Sequence, residues 1–181
     1  MLVLENTFTI RLLFLAAFIF LVVERVHNTF VKQVAPSKPK KVFHRWFFFL
    51  LLGSYLGIVC VAFFSFWRAK GLYILPSLVG VALMGCGIFF RREAIRGLDK
   101  YWSVYIEVKE DQRIVRKGIF RYLKHPYYTG VVLELAGFSL LTNSVWGVLL
   151  TFMLQLPLVL IRVHYENRVL NVYGKRMGFS R

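Results

Sequence analysis

Lys124-His125-Pro126-Tyr127-Tyr128-Thr129-Gly130 is where a basic, aromatic-studded polar segment gives way to an apolar run. Pro126 fixes its own φ and disfavours helical angles at His125, which predicts a helix beginning at Pro126 with proline in the first helical position. The backbone N–H groups of Tyr127, Tyr128 and Thr129 then have no intrahelical acceptor. Such a helix start attracts a negative group, and the adjoining His and Tyr side chains can hold the rest of a polar ligand. Taken alone, the stretch reads either as an ordinary helix start or as a ligand site.

Its surroundings are those of a membrane. Hydrophobic residues make up 57% and charged residues 18% of the 181 residues, and mean hydropathy is positive, a balance foreign to soluble domains of this size. The formal charge of +15 is gathered in segments flanking long apolar runs. That distribution fits anionic headgroups and positive-inside topology, and argues against nucleic acid as a partner. Cys60 and Cys86 both fall inside apolar runs, so neither a disulfide framework nor a cysteine metal site is expected. His27, His44, His125 and His164 show no metal-binding spacing, and no metal is expected.

Working outward, residues 8–23, 46–66, 72–90, 129–141 and 145–161 are apolar and predict about five transmembrane helices, the last two as a helical hairpin. The absence of a basic n-region argues against a cleaved signal peptide. Gly80, Ala82, Gly85 and Gly87 in the third run invite close approach of a neighbouring helix, and Arg91 and Arg92 end that run. All Lys and Arg except Arg11, Arg68 and Lys70 fall on one side of a five-span arrangement. That side should be cytoplasmic, with the N-terminus outside. In the polar segment from Arg91 to Lys124, residues 102–108 alternate and 113–116 follow a turn-like stretch, which predicts a small β-hairpin serving as a lid. The fold expectation is thus an all-α integral membrane protein. Residues 1–90 would contribute three spans with a basic cytoplasmic loop, and residues 91–181 a cofactor-binding core.

Three charges invite chemistry. Arg162 and Glu166 are four apart on the continuation of the last helix and share a face. They read as a surface ion pair or as a pair aimed at the Pro126 helix start. Glu134 lies about 12 Å along that helix from Pro126. An acid there needs a partner or a wet cavity, which makes it a substrate-site candidate or a structural interhelical bond.

Residues 118–130, Gly-Ile-Phe-Arg-Tyr-Leu-Lys-His-Pro-Tyr-Tyr-Thr-Gly, resemble the G-x-Y-x-x-x-R-H-P-x-Y-x-G motif of isoprenylcysteine carboxyl methyltransferases and their bacterial relatives. Arg162-x-x-x-Glu166-Asn167-x-x-Leu170 resembles that family's R-x-x-x-E-E-x-x-L. The resemblance covers roughly the C-terminal half and implies an S-adenosyl-L-methionine site at the cytoplasmic face. By position it assigns cofactor contacts to Gln112, Arg113, Ile114, Val115, Phe120, His125, Pro126, Tyr127, Tyr128 and Glu166, and orientation of the acceptor to Arg162. Lys124 stands for Arg, Phe120 for Tyr, Asn167 for the second Glu, and Met177 for a tail Tyr. Around Tyr101-Trp102 and the run ending at Glu134 the chain looks nearer to bacterial O-methyltransferases of alkylpyrones or alkylresorcinols. The implied function is O-methylation of a lipophilic or prenylated acceptor whose tail lies among the helices.

A carboxylate acceptor needs no general base, whereas a phenol or enol needs its anion favoured, a task that suits Arg162. Membrane sterol-type reductases, which use NADPH, resemble the same C-terminal pattern. Phospholipid N-methylation and a non-enzymatic membrane protein complete the alternatives.

Overall fold

The structure is a computed structural model that describes residues 3–5, 8–27, 39–43, 45–103, 106–109 and 117–176. The five apolar runs all become helices. α1 (Phe8–Val26), α2 (Arg45–Arg68), α3 (Ile74–Leu98) and α4 (Pro126–Leu141) are followed by α5 (Val145–Leu150), which passes through a π-helical turn, Thr151–Gln155, into α6 (Leu156–Arg176). Four short strands punctuate them: β1 (Val3–Glu5), β2 (Pro39–Phe43), β3 (Gly71–Tyr73) and β4 (Ile106–Lys109). Among the described residues, α2, α3 and the joined α5–α6 are each long and apolar enough to cross a membrane. Phe49, Phe64, Leu75, Phe89 and Met153 point outward from this bundle, each more than half exposed. Such an apolar exterior belongs in lipid. The chain is an all-α integral membrane protein.

Contacts at the two ends show the helices alternating in direction. β1 pairs antiparallel with β3, so the N-terminal strand and the α2–α3 connection share one end. At that end Asn143, in the α4–α5 turn at φ 54°, accepts from the Tyr73 backbone N–H and donates to Ser77 Oγ. Asparagine tolerates this left-handed geometry better than most residues. At the other end β2 pairs antiparallel with β4, joining the segment before α2 to the segment after α3.

β4 falls in the alternating stretch and pairs with β2, from the basic loop, because an edge strand takes whichever strand the bundle brings beside it. Residues 113–116, the expected second arm, lie outside the described residues. One revision concerns α3, which runs past Phe90 to Leu98. Arg91 does not end the helix. It is fully buried, with Nε 3.2 Å from Glu134 Oε2 on α4.

α3 and α4 pack backbone to backbone because four glycines leave room. A Cβ at Gly87 would stand 2.7 Å from the Gly130 carbonyl oxygen, and one at Gly137 2.6 Å from the Gly80 carbonyl oxygen. Both are closer than real Cβ atoms come, so only glycine fits. Gly85 faces open space and Ala82 is exposed, so the seam uses two of the four small residues that the sequence offered. α1 is held instead by long side chains. The Phe14 ring lies 3.9 Å from that of Phe66 on α2, and Phe18 5.5 Å from Phe138 on α4. Arg25, at the far end of α1, pairs with Glu134 at 2.8 Å.

Candidate active site

The site is built where α4 begins. His125 has φ −132° and ψ 62°, outside the helical region, and Pro126 opens the helix as the sequence predicts. The His125 side chain makes no capping hydrogen bond. The Thr129 N–H, expected to lack an intrahelical acceptor, donates to the His125 carbonyl at 3.2 Å, which leaves the first-turn donors of Tyr127 and Tyr128 at the positive end of the helix dipole.

Tyr128 projects toward α6. Its hydroxyl donates to Glu166 Oε2 at 2.6 Å and accepts from Arg162 Nε at 2.7 Å. Arg162 and Glu166 share a face of α6, one turn apart, and the structure joins them through this hydroxyl. Arg162 is only 6% exposed. Its guanidinium carbon also sits 5.5 Å from the Tyr128 ring centroid, within cation–π range. His125 Nε2 lies 3.2 Å from Asn167 Oδ1. The departure at 167 therefore leaves a polar contact with His125 in place.

Tyr127 turns the other way, its ring centroid 4.4 Å from that of Trp102. Trp102 is buried together with Ile95, against Phe48, Leu98 and Tyr127. Phe120, in a short 3₁₀ turn, packs its ring onto α3 at Gly97, where a Cβ would come within 2.9 Å of it. Gln112, Arg113, Ile114 and Val115 lie outside the described residues.

Below this surface opens a cavity of about 230 Å³ between α1, α2, α4 and α6. Tyr127, Tyr128, Trp102 and Arg162 form one part of its lining, and the rest is mainly aliphatic and aromatic. Glu134 also reaches it, along with Arg25 and Tyr55. Arg25 bridges Glu134 and the Tyr55 hydroxyl, the latter at 2.7 Å, while Arg91 holds Glu134 from behind. One carboxylate thus ties α1, α2, α3 and α4 together. The structure gives Glu134 the interhelical role and also a place on the cavity wall.

Sequence reasoning missed Arg25, Tyr55 and Gln155. Arg25 was legible as a charge closing an apolar run, and Gln155 as an amide inside one. Tyr55 carried no signal.

A partly buried relay of Arg, Tyr and Glu at one end of an apolar helical bundle, above a mainly apolar cavity, defines an integral membrane protein organised around one polar site. Residues 75–176 match the phospholipid methyltransferase family, and the chain belongs to that family. That family belongs to the same broad group of membrane methyltransferases as the isoprenylcysteine enzymes. The match reaches back through α3, farther than the two motifs did. The chain is 26% identical over 96 residues to an uncharacterized protein of Haemophilus influenzae, covering 52% of this chain and 56% of that one. It is 30% identical over 81 residues to the uncharacterized protein YpbQ of Bacillus subtilis, covering 45% of this chain and 48% of that one. The chain spans about half the length of these curated relatives.

Proposed function

We propose that this protein transfers a methyl group from S-adenosyl-L-methionine to an oxygen of a lipophilic acceptor, with the site at the cytoplasmic face. The observation that carries the reading is the Arg162–Tyr128–Glu166 relay, set at an uncapped helix start and opening on an apolar cavity.

The residues present suit the cofactor. Its carboxylate would find the Tyr127 and Tyr128 backbone donors, its hydroxyls the Glu166 carboxylate, and its aromatic base the Trp102–Tyr127 pair. Bound there, it supplies a methyl group already activated by a sulfonium centre. The chain's own task is then alignment and exclusion of water. Arg162, positively charged and lining the cavity, holds the acceptor oxygen and favours its anionic form. Glu166 keeps Arg162 in place through Tyr128. The cavity wall receives the acceptor's tail.

A guanidinium beside the acceptor supports a carboxylate or phenolate oxygen over an amine, which Arg162 would repel in its protonated form. The family's description supports phospholipid N-methylation as the second reading. The deciding experiment incubates purified protein with radiolabelled S-adenosylmethionine and, separately, with NADPH. Methyl transfer is then assayed to an alkylresorcinol, a prenylcysteine and phosphatidylethanolamine. Binding of the methyl donor with label on either of the first two acceptors is the expected result. Label on phosphatidylethanolamine alone selects the second reading, and NADPH binding without methyl-donor binding sinks both.

A further inference from the structure

An acceptor that arrives as a phenol or enol gives up a proton when its oxygen is methylated. In a mainly apolar cavity that proton needs a protein group to take it. Among the described residues of the lining, Glu134 is the one carboxylate. Its Oε2 is already held by Arg25 and Arg91, and it lies about 9 Å farther along α4 than Tyr128. Gln155, of the same lining, is an amide and takes no proton. Neither serves the end of the cavity where Arg162 stands.

Tyr128 does. A guanidinium only donates and an ionised carboxylate only accepts, so the Tyr128 O–H is directed at Glu166 Oε2, 2.6 Å away, while Arg162 Nε donates to the same oxygen at 2.7 Å. The direction of this proton thus follows from the chemistry of its two neighbours. The 2.6 Å separation falls in the range of a hydroxyl bonded to a charged oxygen. A hydroxyl oxygen has two lone pairs, and Arg162 takes one of them. Tyr128 lines the cavity, whereas Glu166 stands outside the lining and is half-buried. The phenol therefore separates the acceptor's chamber from a carboxylate with access to water.

We propose that Tyr128 and Glu166 form a proton exit for a hydroxyl-bearing acceptor, with Tyr128 the catalytic residue that touches it. The acceptor O–H donates to the second lone pair of the Tyr128 oxygen. As the acceptor oxygen bonds to the methyl carbon, its proton passes to Tyr128 and the Tyr128 proton passes to Glu166. The carbon–sulfur bond breaks and leaves its electron pair on sulfur. Tyr128 ends as the neutral phenol that it was, and Glu166 ends as a carboxylic acid that returns its proton to water. The sulfonium and carboxylate charges are both neutralised, so the step balances. Arg162, beside the Tyr128 oxygen, steadies negative charge while the protons move. The inference rests on the methyl-transfer reading and narrows it to a phenol or enol, because a carboxylate acceptor brings no proton to relay.

The test uses two matched amphiphiles, a long-chain alkylphenol and the same molecule with a ring nitro group, which ionises it at neutral pH and removes the proton to be relayed. Turnover is measured on the full chain in detergent at saturating S-adenosylmethionine, for the wild type, Tyr128→Phe and Glu166→Gln. The glutamine keeps a carbonyl for the Tyr128 hydroxyl but takes no proton. Each variant should lose at least about tenfold more turnover on the alkylphenol than on the nitro probe. Both probes should still bind both variants without the methyl donor, read by quenching of tryptophan fluorescence through Trp102 in the cavity wall. Where a variant fails to fold, the wild type decides: heavy water should slow transfer to the alkylphenol and leave the nitro probe unaffected. Equal losses on the two probes, or no difference between them in heavy water, overturns the relay and leaves methyl transfer standing. Methylation of a prenylcysteine carboxylate but of neither phenol likewise removes the relay alone. Transfer to none of the three removes the methyl-transfer reading and the relay with it.

Discussion

Arg162 and Glu166, one turn apart on α6, meet through the Tyr128 hydroxyl, which accepts from the first at 2.7 Å and donates to the second at 2.6 Å. A phenol in this position converts an ordinary helix-surface pair into a link between α6 and the first turn of α4. Tyr128→Phe keeps the ring and removes the link. Turnover should fall at least about tenfold, while the melting temperature in detergent should drop only modestly, in line with about 1–3 kcal/mol for buried partners left unsatisfied. Methyl transfer and thermal unfolding measured on the same preparation check this.

The two charges should separate by readout. Arg162→Ala is expected to leave affinity for S-adenosylmethionine near normal and to lower turnover at least about tenfold, roughly 1.4 kcal/mol of barrier. Glu166→Ala should weaken the methyl donor's binding itself. Arg162→Lys restores charge without the Nε donor that meets Tyr128, and should recover little. Calorimetric titration and a turnover assay distinguish the three. Full activity in both alanine variants would reduce the relay to a structural feature.

Glu134 is predicted to act mainly on stability. Its Oε2 holds Arg25 and Arg91 at once, at 2.8 Å and 3.2 Å. Removing the acid leaves two guanidinium groups without their shared counter-charge inside the bundle. Glu134→Ala should cost about 3–5 kcal/mol, the range for breaking a buried ion pair from one side. Arg25→Ala should cost less, because that side chain is 21% exposed. Thermal unfolding in a fixed detergent ranks the two, and a smaller loss for Glu134→Ala would show that the cluster is not what fastens α1.

Two glycines on one helix make a paired control. Gly85→Ala, facing open space, should be neutral or raise stability by up to about 1 kcal/mol through helix propensity. Gly87→Ala drives a methyl group into the α4 backbone and should lower the yield of monodisperse protein severely. Size-exclusion profiles of the two variants give the answer, and equal profiles would mean that the α3–α4 seam yields easily.

Much of this was legible in the sequence, for local reasons. Pro126 sets the start of α4 through its own ring and the residue before it, so no tertiary information was needed. The helices announced themselves through uninterrupted apolar runs. Glu134 stood out because an acid in such a run is costly. What was missed depends on neighbours that sequence does not name. Nothing around residue 25 says that Arg25 will meet Tyr55 and Glu134, and nothing in residues 106–109 says that their partner will be residues 39–43. Arg91 reads as a helix terminator because a charge at a boundary usually reaches water, whereas here a carboxylate on the facing helix lets it stay inside. Gln155 escaped notice because one uncharged amide hardly changes the hydropathy of its run.

The π turn gives the last membrane helix a counting rule. Its wider turn absorbs one surplus residue, so α6 leaves it in nearly the phase of an unbroken helix. Adding one residue to the regular helix between Leu156 and Ile161, by contrast, would leave a span just as apolar and still long enough to cross a bilayer. Ser144 would keep its 3.0 Å contact with Ser65 on α2. Arg162 and Glu166 would nevertheless turn about 100° away from Tyr128, with every side chain of the site still encoded. A survey of composition or motif would count such a chain as intact, although its reactive face had been dialled out of register.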